Sequence, residues 1–118
     1  MCGIACYIGK EKPIKFLIDA LKKLEYRGYD SAGVASVCEN KIKVSKSSGS
    51  IKILEQKVGD NEKITNAISH TRWATHGKPN DINAHPHLST NESVAFFLKV
   101  LKQPLCLFHF LGITNIQL

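Results

Sequence analysis

The spacing of apolar residues along the chain changes several times, and each change marks an expected element. Residues 4–8 form a short apolar run bounded by Gly3 and Gly9, which predicts a short buried strand. Gly9-Lys10-Glu11-Lys12 then reads as a turn. From Pro13, a residue suited to a first helical turn, Ile14, Leu17, Ile18, Leu21 and Leu24 recur at helical spacing. Lys15, Asp19, Lys22 and Lys23 occupy the opposite face, and Gly28 is the expected terminator. Residues 33–37 and 41–45 predict two strands joined at Glu39-Asn40, with Ile42 and Val44 on one face. Ser50 is the expected N-cap of a second, shorter helix over 51–58, ended by Gly59. Residues 64–69 predict another strand.

Two stretches have no period. Glu25-Tyr26-Arg27-Gly28-Tyr29-Asp30-Ser31-Ala32-Gly33 crowds two aromatics, opposite charges and two glycines into a connector. Ordered loops of this kind position function on a scaffold; a plain helix-to-strand connector holding an Arg27–Asp30 pair is the alternative. The densest polar cluster follows the strand at 64–69: His70-Thr71-Arg72-Trp73-Ala74-Thr75-His76-Gly77, with Asn83 and His85-Pro86-His87 beyond it.

Composition narrows what these elements serve. A chain of 118 residues, 43% hydrophobic and 22% charged, fits one small globular domain. Four cysteines without a Cys-x-x-Cys pair predict a reducing, cytoplasmic setting without disulfides or structural zinc. No run resembles a signal peptide or a membrane span. The net charge of +6 comes from lysines interleaved with acids, which reads as solvated faces and not as a nucleic-acid footprint. The two arginines, Arg27 and Arg72, both lie in the aperiodic stretches. A guanidinium grips a carboxylate at two points and an ammonium does not, so these two suggest recognition.

The start, Met1-Cys2-Gly3-Ile4, supplies a nucleophile. Methionine is readily trimmed before a small side chain, which leaves Cys2 with a thiol and a free α-amine. Such an amine titrates near about 8 and serves as the base for its own residue's nucleophile. Arg72 would then clamp an α-carboxylate, with Thr75 and His76 as neutral hydrogen-bonding neighbours in a small amino-acid pocket. A metal held by His76, His85 and His87 is the competing reading. It is the weaker one, because His-x-His around a proline converges poorly and no acid or cysteine stands at ligand spacing.

Taken in order, the terminal Met-Cys-Gly-Ile, the stretch 25–33 and the stretch 70–87 resemble the glutaminase domain of the glutamine–fructose-6-phosphate aminotransferases. These are class II glutamine amidotransferases, of the N-terminal-nucleophile hydrolases. The resemblance covers about residues 1–95. It implies an α+β fold, an α/β/β/α sandwich of antiparallel sheets, incomplete here on its C-terminal side. It also implies glutamine as substrate, Cys2 as nucleophile, and Arg72, Trp73, Thr75 and His76 as substrate-binding residues. Arg27 and Gly28 would form a supporting loop. No cofactor, metal, nucleic acid or membrane is implied, and complete members are homo-oligomers.

The tail departs from the pattern. Residues 96–118 are largely apolar and contain no Asn-Gly, the element that in the family supplies the oxyanion donors. The last acid is Glu92, so the family's amine-binding aspartate has no counterpart, and neither does its isomerase part. Residues 96–118 read as a frame change or misread gene end, with a spliced or short natural variant as the alternative. The expectation is a fragment of weak or no turnover. A non-catalytic fragment that pairs with a full-length homologue is the competing function.

Overall fold

The computed structural model describes residues 2–75, 77–99 and 109–114. Its first sheet has the antiparallel order β1-β4-β2-β3, built from β1 (Gly3–Pro13), β2 (Ser31–Cys38), β3 (Lys41–Ser48) and β4 (Lys63–Arg72). A second sheet, β5-β6-β7, comprises β5 (His87–Leu88), β6 (Val94–Lys99) and β7 (His109–Thr114). β6 runs across position 95, where the family-like stretch was expected to end, and pairs with β7 from Val94↔Thr114 to Lys99↔His109.

Alternation along the strands sorts the first sheet into two faces. One face presents Ala32, Val34 and Ala67 to helices α1 (Lys15–Lys22) and α2 (Ile51–Lys57), which bury Leu17, Ile18, Leu21, Ile51 and Leu54 against it. The other presents Ala35 and Ile68 to Ala95 and Phe97 of the second sheet. Helices, sheet and sheet thus form three stacked layers, the order expected for an N-terminal-nucleophile hydrolase.

Several elements differ from their sequence-based expectation. The residues read as a turn, Gly9 to Lys12, continue β1, with a register shift between Ile8 and Lys12. β1 is an outer strand, and Ile4 and Ile8 are 41% and 80% exposed, so the expected buried strand is an open edge. From Ile8 onward every residue of β1 is exposed, so nothing there requires polar and apolar residues to alternate. α1 stops at Lys22, and a separate 3-10 turn, Glu25–Arg27, stands between it and Gly28. Ser50 makes no side-chain cap; the Ile51 N–H donates instead to Glu25 Oε1 at 3.0 Å. The Glu39-Asn40 hairpin forms as expected, with both residues left-handed (φ 48° and 59°), the turn geometry that suits the strand twist.

The layers meet closely at Gly33. A Cβ there would overlap the carbonyl oxygen of His85 and approach its carbonyl carbon to 3.0 Å. Gly33→Ala is therefore expected to cost about 1–3 kcal/mol through overpacking. Its urea midpoint should fall below that of the parent, and an unchanged midpoint would show that the His85 backbone yields freely.

Candidate active site

The site forms where β1 begins and β4 ends. Gly3 pairs with Thr71, so continuing the antiparallel register by one residue sets Cys2 level with Arg72. On its far side Arg72 pairs with Ser31, the first residue of β2. Thiol and guanidinium thus belong to neighbouring strands at one end of the sheet. Residues 68, 70 and 72 alternate onto the face toward the second sheet, and Thr71 onto the helix face.

Two features of the 25–33 connector hold the end of β4. Gly28 is buried against the backbone of Arg72 and Trp73, and a Cβ there would stand 2.8 Å from the Arg72 carbonyl carbon. Asp30 donates its N–H to the Arg72 carbonyl at 3.1 Å, and its carboxylate accepts the Ala74 N–H at 2.7 Å. This differs from the alternative of an Arg27–Asp30 pair: the aspartate grips the backbone of the polar cluster. Arg27 is exposed and lies over the Tyr26 ring at 5.8 Å, so it belongs to the connector's outer surface and not to the strand end. Trp73 is 43% exposed and meets Tyr29 edge-on, with ring centroids 5.4 Å apart. Thr75 is exposed, and His76 lies outside the described residues.

A loop closes over Arg72. A Cβ on Gly77 would lie 3.5 Å from Arg72 Nη2 and 3.2 Å from Asn83 Nδ2, so both side chains reach this backbone. Asn83 ties the loop together, donating from Nδ2 to the Lys78 carbonyl and from its N–H to Asn80 Oδ1. Asp81 docks it onto the sheet by accepting the Ser48 N–H at 2.6 Å and pairing with Lys57 at 2.8 Å. Those partners, Lys57 foremost, hold the Asp81 carboxyl down at about 2.

Behind Arg72 stand three histidines. His70 meets His85 edge-on at 4.6 Å between centroids, His85 meets His87 at 4.7 Å, and His70 also touches the Phe97 ring. Burial first, then neighbouring cations including Arg72, pushes His70 down to about 3 and His85 to about 4. His87 moves the same way, again mainly through burial. All three are neutral at pH 7, which leaves Arg72 and Lys46 as the fixed positive charges around this group. The metal reading of His85 and His87 meets a different arrangement, an aromatic stack. Among the described residues no group of three His, Cys, Asp or Glu is placed to hold a metal ion.

The cysteines differ in setting. Cys2 is half-buried at the strand end, whereas Cys6 and Cys38 are exposed. Packing around the Cys6 sulfur nonetheless pushes that thiol up, so it ionises less readily than an ordinary cysteine. Cys106 lies outside the described residues.

Sequence reasoning missed Asp30, Thr71 and His70 as parts of this site. Asp30 and Ala74 are 44 positions apart, Gly3 and Thr71 are 68 apart, and only the strand order brings them together.

The comparisons agree with this architecture. No family model matches the chain. It is 51% identical over 96 residues, 80% of its length, to a glutamine–fructose-6-phosphate aminotransferase (isomerizing) of Clostridium perfringens. Over 89 residues it is 55% identical to the enzyme of that name from Streptococcus agalactiae, and over 96 residues 48% identical to that of Synechocystis. The chain spans 15–16% of the length of these relatives. Among solved structures it is similar to the glutamine phosphoribosylpyrophosphate amidotransferase of B. subtilis, solved with ADP and GMP. That match has a TM-score of 0.62 at 27% identity and covers 82% of this chain and 21% of the other. No helix among the described residues is long and apolar enough to cross a membrane. Half-identity over four-fifths of its length makes this chain a homologue of part of those aminotransferases, and it shares the fold of the glutamine amidotransferase.

Proposed function

We propose that this chain is a fragment of the glutamine-hydrolysing part of a glutamine–fructose-6-phosphate aminotransferase, with Cys2 as nucleophile. The observation behind the proposal is the register that sets Cys2 level with Arg72 on adjacent strands. Neighbouring strands lie about 4.8 Å apart, so the residues that bear the thiol and the guanidinium are adjacent at one end of the sheet, on the scale of a single amino acid. Arg72 takes the α-carboxylate through a two-point charge-assisted contact. Trp73 and Thr75 line the side of the bound glutamine, His76 remains a further substrate-binding residue of the family resemblance, and Gly28 keeps the Arg72–Trp73 backbone at its height.

Once Met1 is removed, the Cys2 α-amine accepts the thiol proton and the thiolate attacks the side-chain amide carbon. The carbon–nitrogen bond breaks as the ammonium returns a proton to the leaving nitrogen, giving ammonia and a thioester. Water, losing its proton to the same amine, opens the thioester and releases glutamate. The ammonia is then the nitrogen source for an amino sugar phosphate. The free thiols at Cys2, Cys6 and Cys38 support a cytoplasmic setting.

Incubation of the Met1-trimmed chain with glutamine tests this reading. Glutamate and ammonia should appear in equal amounts, with turnover below that of a complete aminotransferase, and Cys2→Ala should reduce both to the blank. Release that persists in Cys2→Ala would overturn the proposal.

A further inference from the structure

The nucleophile sits at the most poorly held place a fold offers, the first residues of an outer strand. Chain ends fray unless something ties them down, and an outer strand has a partner on one side only. β1 is such a strand: among the described residues only β4 pairs with it, and its side chains at Ile4, Cys6 and Ile8 are exposed. Its first residues are nonetheless held by two hydroxyls of β4. The Gly3 N–H donates to Thr71 Oγ1 at 3.0 Å, and Ser69 Oγ donates to the Ala5 carbonyl at 2.9 Å. Thr71 and Ser69 are both completely buried. Each stands directly opposite the residue whose backbone it holds, in the register pairs Gly3↔Thr71 and Ala5↔Ser69.

Packing matches these bonds. A Cβ on Gly3 would fall 2.6 Å from Thr71 Oγ1 and 2.7 Å from Leu24 Cβ, so strand, hydroxyl and helix-end leucine already touch. A core position facing Ala32 and α1 would ordinarily take an apolar side chain, as Ala67 does two pairs along on the same face. A buried hydroxyl is costly unless it is hydrogen-bonded, and here it bonds the backbone next to Cys2.

We propose that Thr71 is the positioning residue for the Cys2 nucleophile, fixing the Cys2–Gly3 backbone through its hydroxyl, with Ser69 holding the next backbone unit. The catalytic purpose rests on the glutamine reading above; the staple itself does not. Thr71 touches neither substrate nor thiol. It acts by restricting where Cys2 stands relative to Arg72.

Two readouts on the Met1-trimmed full chain test the idea. The first is amide hydrogen exchange by NMR. In Thr71→Val, which keeps shape and volume, the Gly3 amide should exchange at least about tenfold faster relative to the Ala35 and Ile68 amides, equivalent to about 1.4 kcal/mol. Thr71→Ser, which keeps the hydroxyl, should restore protection. The second is the rate of inactivation by a diazoketone analogue of glutamine. Thr71→Val should lower the limiting rate about tenfold or more and leave half-saturation within about twofold, because Arg72 is untouched; Thr71→Ser should recover most of that rate. If Thr71→Val does not fold, Ser69→Ala carries the same comparison, with faster exchange and slower inactivation expected.

Gly3 exchange in Thr71→Val that stays in step with the core amides overturns the staple. Inactivation lost equally in Thr71→Val and Thr71→Ser overturns the positioning role. A parent chain that the analogue never labels refutes the glutamine reading and with it the catalytic purpose, while the exchange data still decide the staple.

Discussion

Between pH 7 and pH 5 the protein is expected to lose about 2–4 kcal/mol of folding stability, mainly through two histidines. His70 titrates at about 3 and His85 at about 4 in the fold, against 6.5 for a free imidazole. Both folded values are depressed, so the unfolded chain takes up these protons first. The stability contributed by the neutral rings is complete above pH 6.5 and is lost as pH falls toward the folded values. Each pH unit below 6.5 costs about 1.4 kcal/mol per buried histidine, less some relief for His85, which keeps partial contact with solvent. Against the ~5–15 kcal/mol of an ordinary domain, this is a large fraction. His87, Arg72 and Lys46 face these rings, all cationic or able to become so, and each makes protonation harder. The strongly held carboxyl, Asp81, titrates at about 2 and so stays outside the window. Urea midpoints at pH 7 and pH 5 decide the matter. The parent midpoint should drop clearly, and His70→Leu should flatten the difference by about half. A midpoint equal at the two pH values would mean that the histidine stack is solvated.

Loss of the guanidinium at position 72 is expected to have the largest effect on glutamine recognition. Arg72 stands at the end of β4 with the Gly77 backbone and Asn83 close to its head, a setting partly withdrawn from water. Removing one partner of a desolvated charge pair costs about 2–5 kcal/mol. Arg72→Ala should therefore weaken glutamine affinity by more than about tenfold. Arg72→Lys should recover only part of it, because an ammonium keeps the charge and loses the fork. Alkylation of Cys2 by iodoacetamide, which has no carboxylate, should proceed at the parent rate in both variants. Competition by glutamine against that alkylation measures the affinity. Equal protection by glutamine in parent and Arg72→Ala would remove the clamp from the account.

Residue spacing carried the helices well. The stripe Ile14, Leu17, Ile18, Leu21 is the buried face of α1, because a helix on a sheet must hide one side and period alone reveals which. The strands were harder. Polar residues 9–12 lie on an open edge, where no neighbouring layer enforces alternation. Thr71 and His70 look like loop chemistry in sequence, yet both are buried inside β4 because their partners come from β1 and the second sheet. The cap of α2 came from Glu25, 26 positions away, where a local rule had pointed to Ser50. The site followed the same division. Cys2 and Arg72 stand out in the sequence by their chemistry as candidates. Their juxtaposition, and the Asp30 grip on Ala74, depend on strand order, which local spacing does not encode.

In the proposed reading Cys2 is the thiol that attacks glutamine. Treatment of the Met1-trimmed chain with a diazoketone analogue of glutamine, followed by peptide mapping, tests it directly. One modification per chain is expected, on Cys2, slowed by added glutamine, with Cys6 and Cys38 unmodified. Labelling at Cys6 or Cys38 while Cys2 stays free, or labelling of Cys2 that glutamine does not slow, would contradict it.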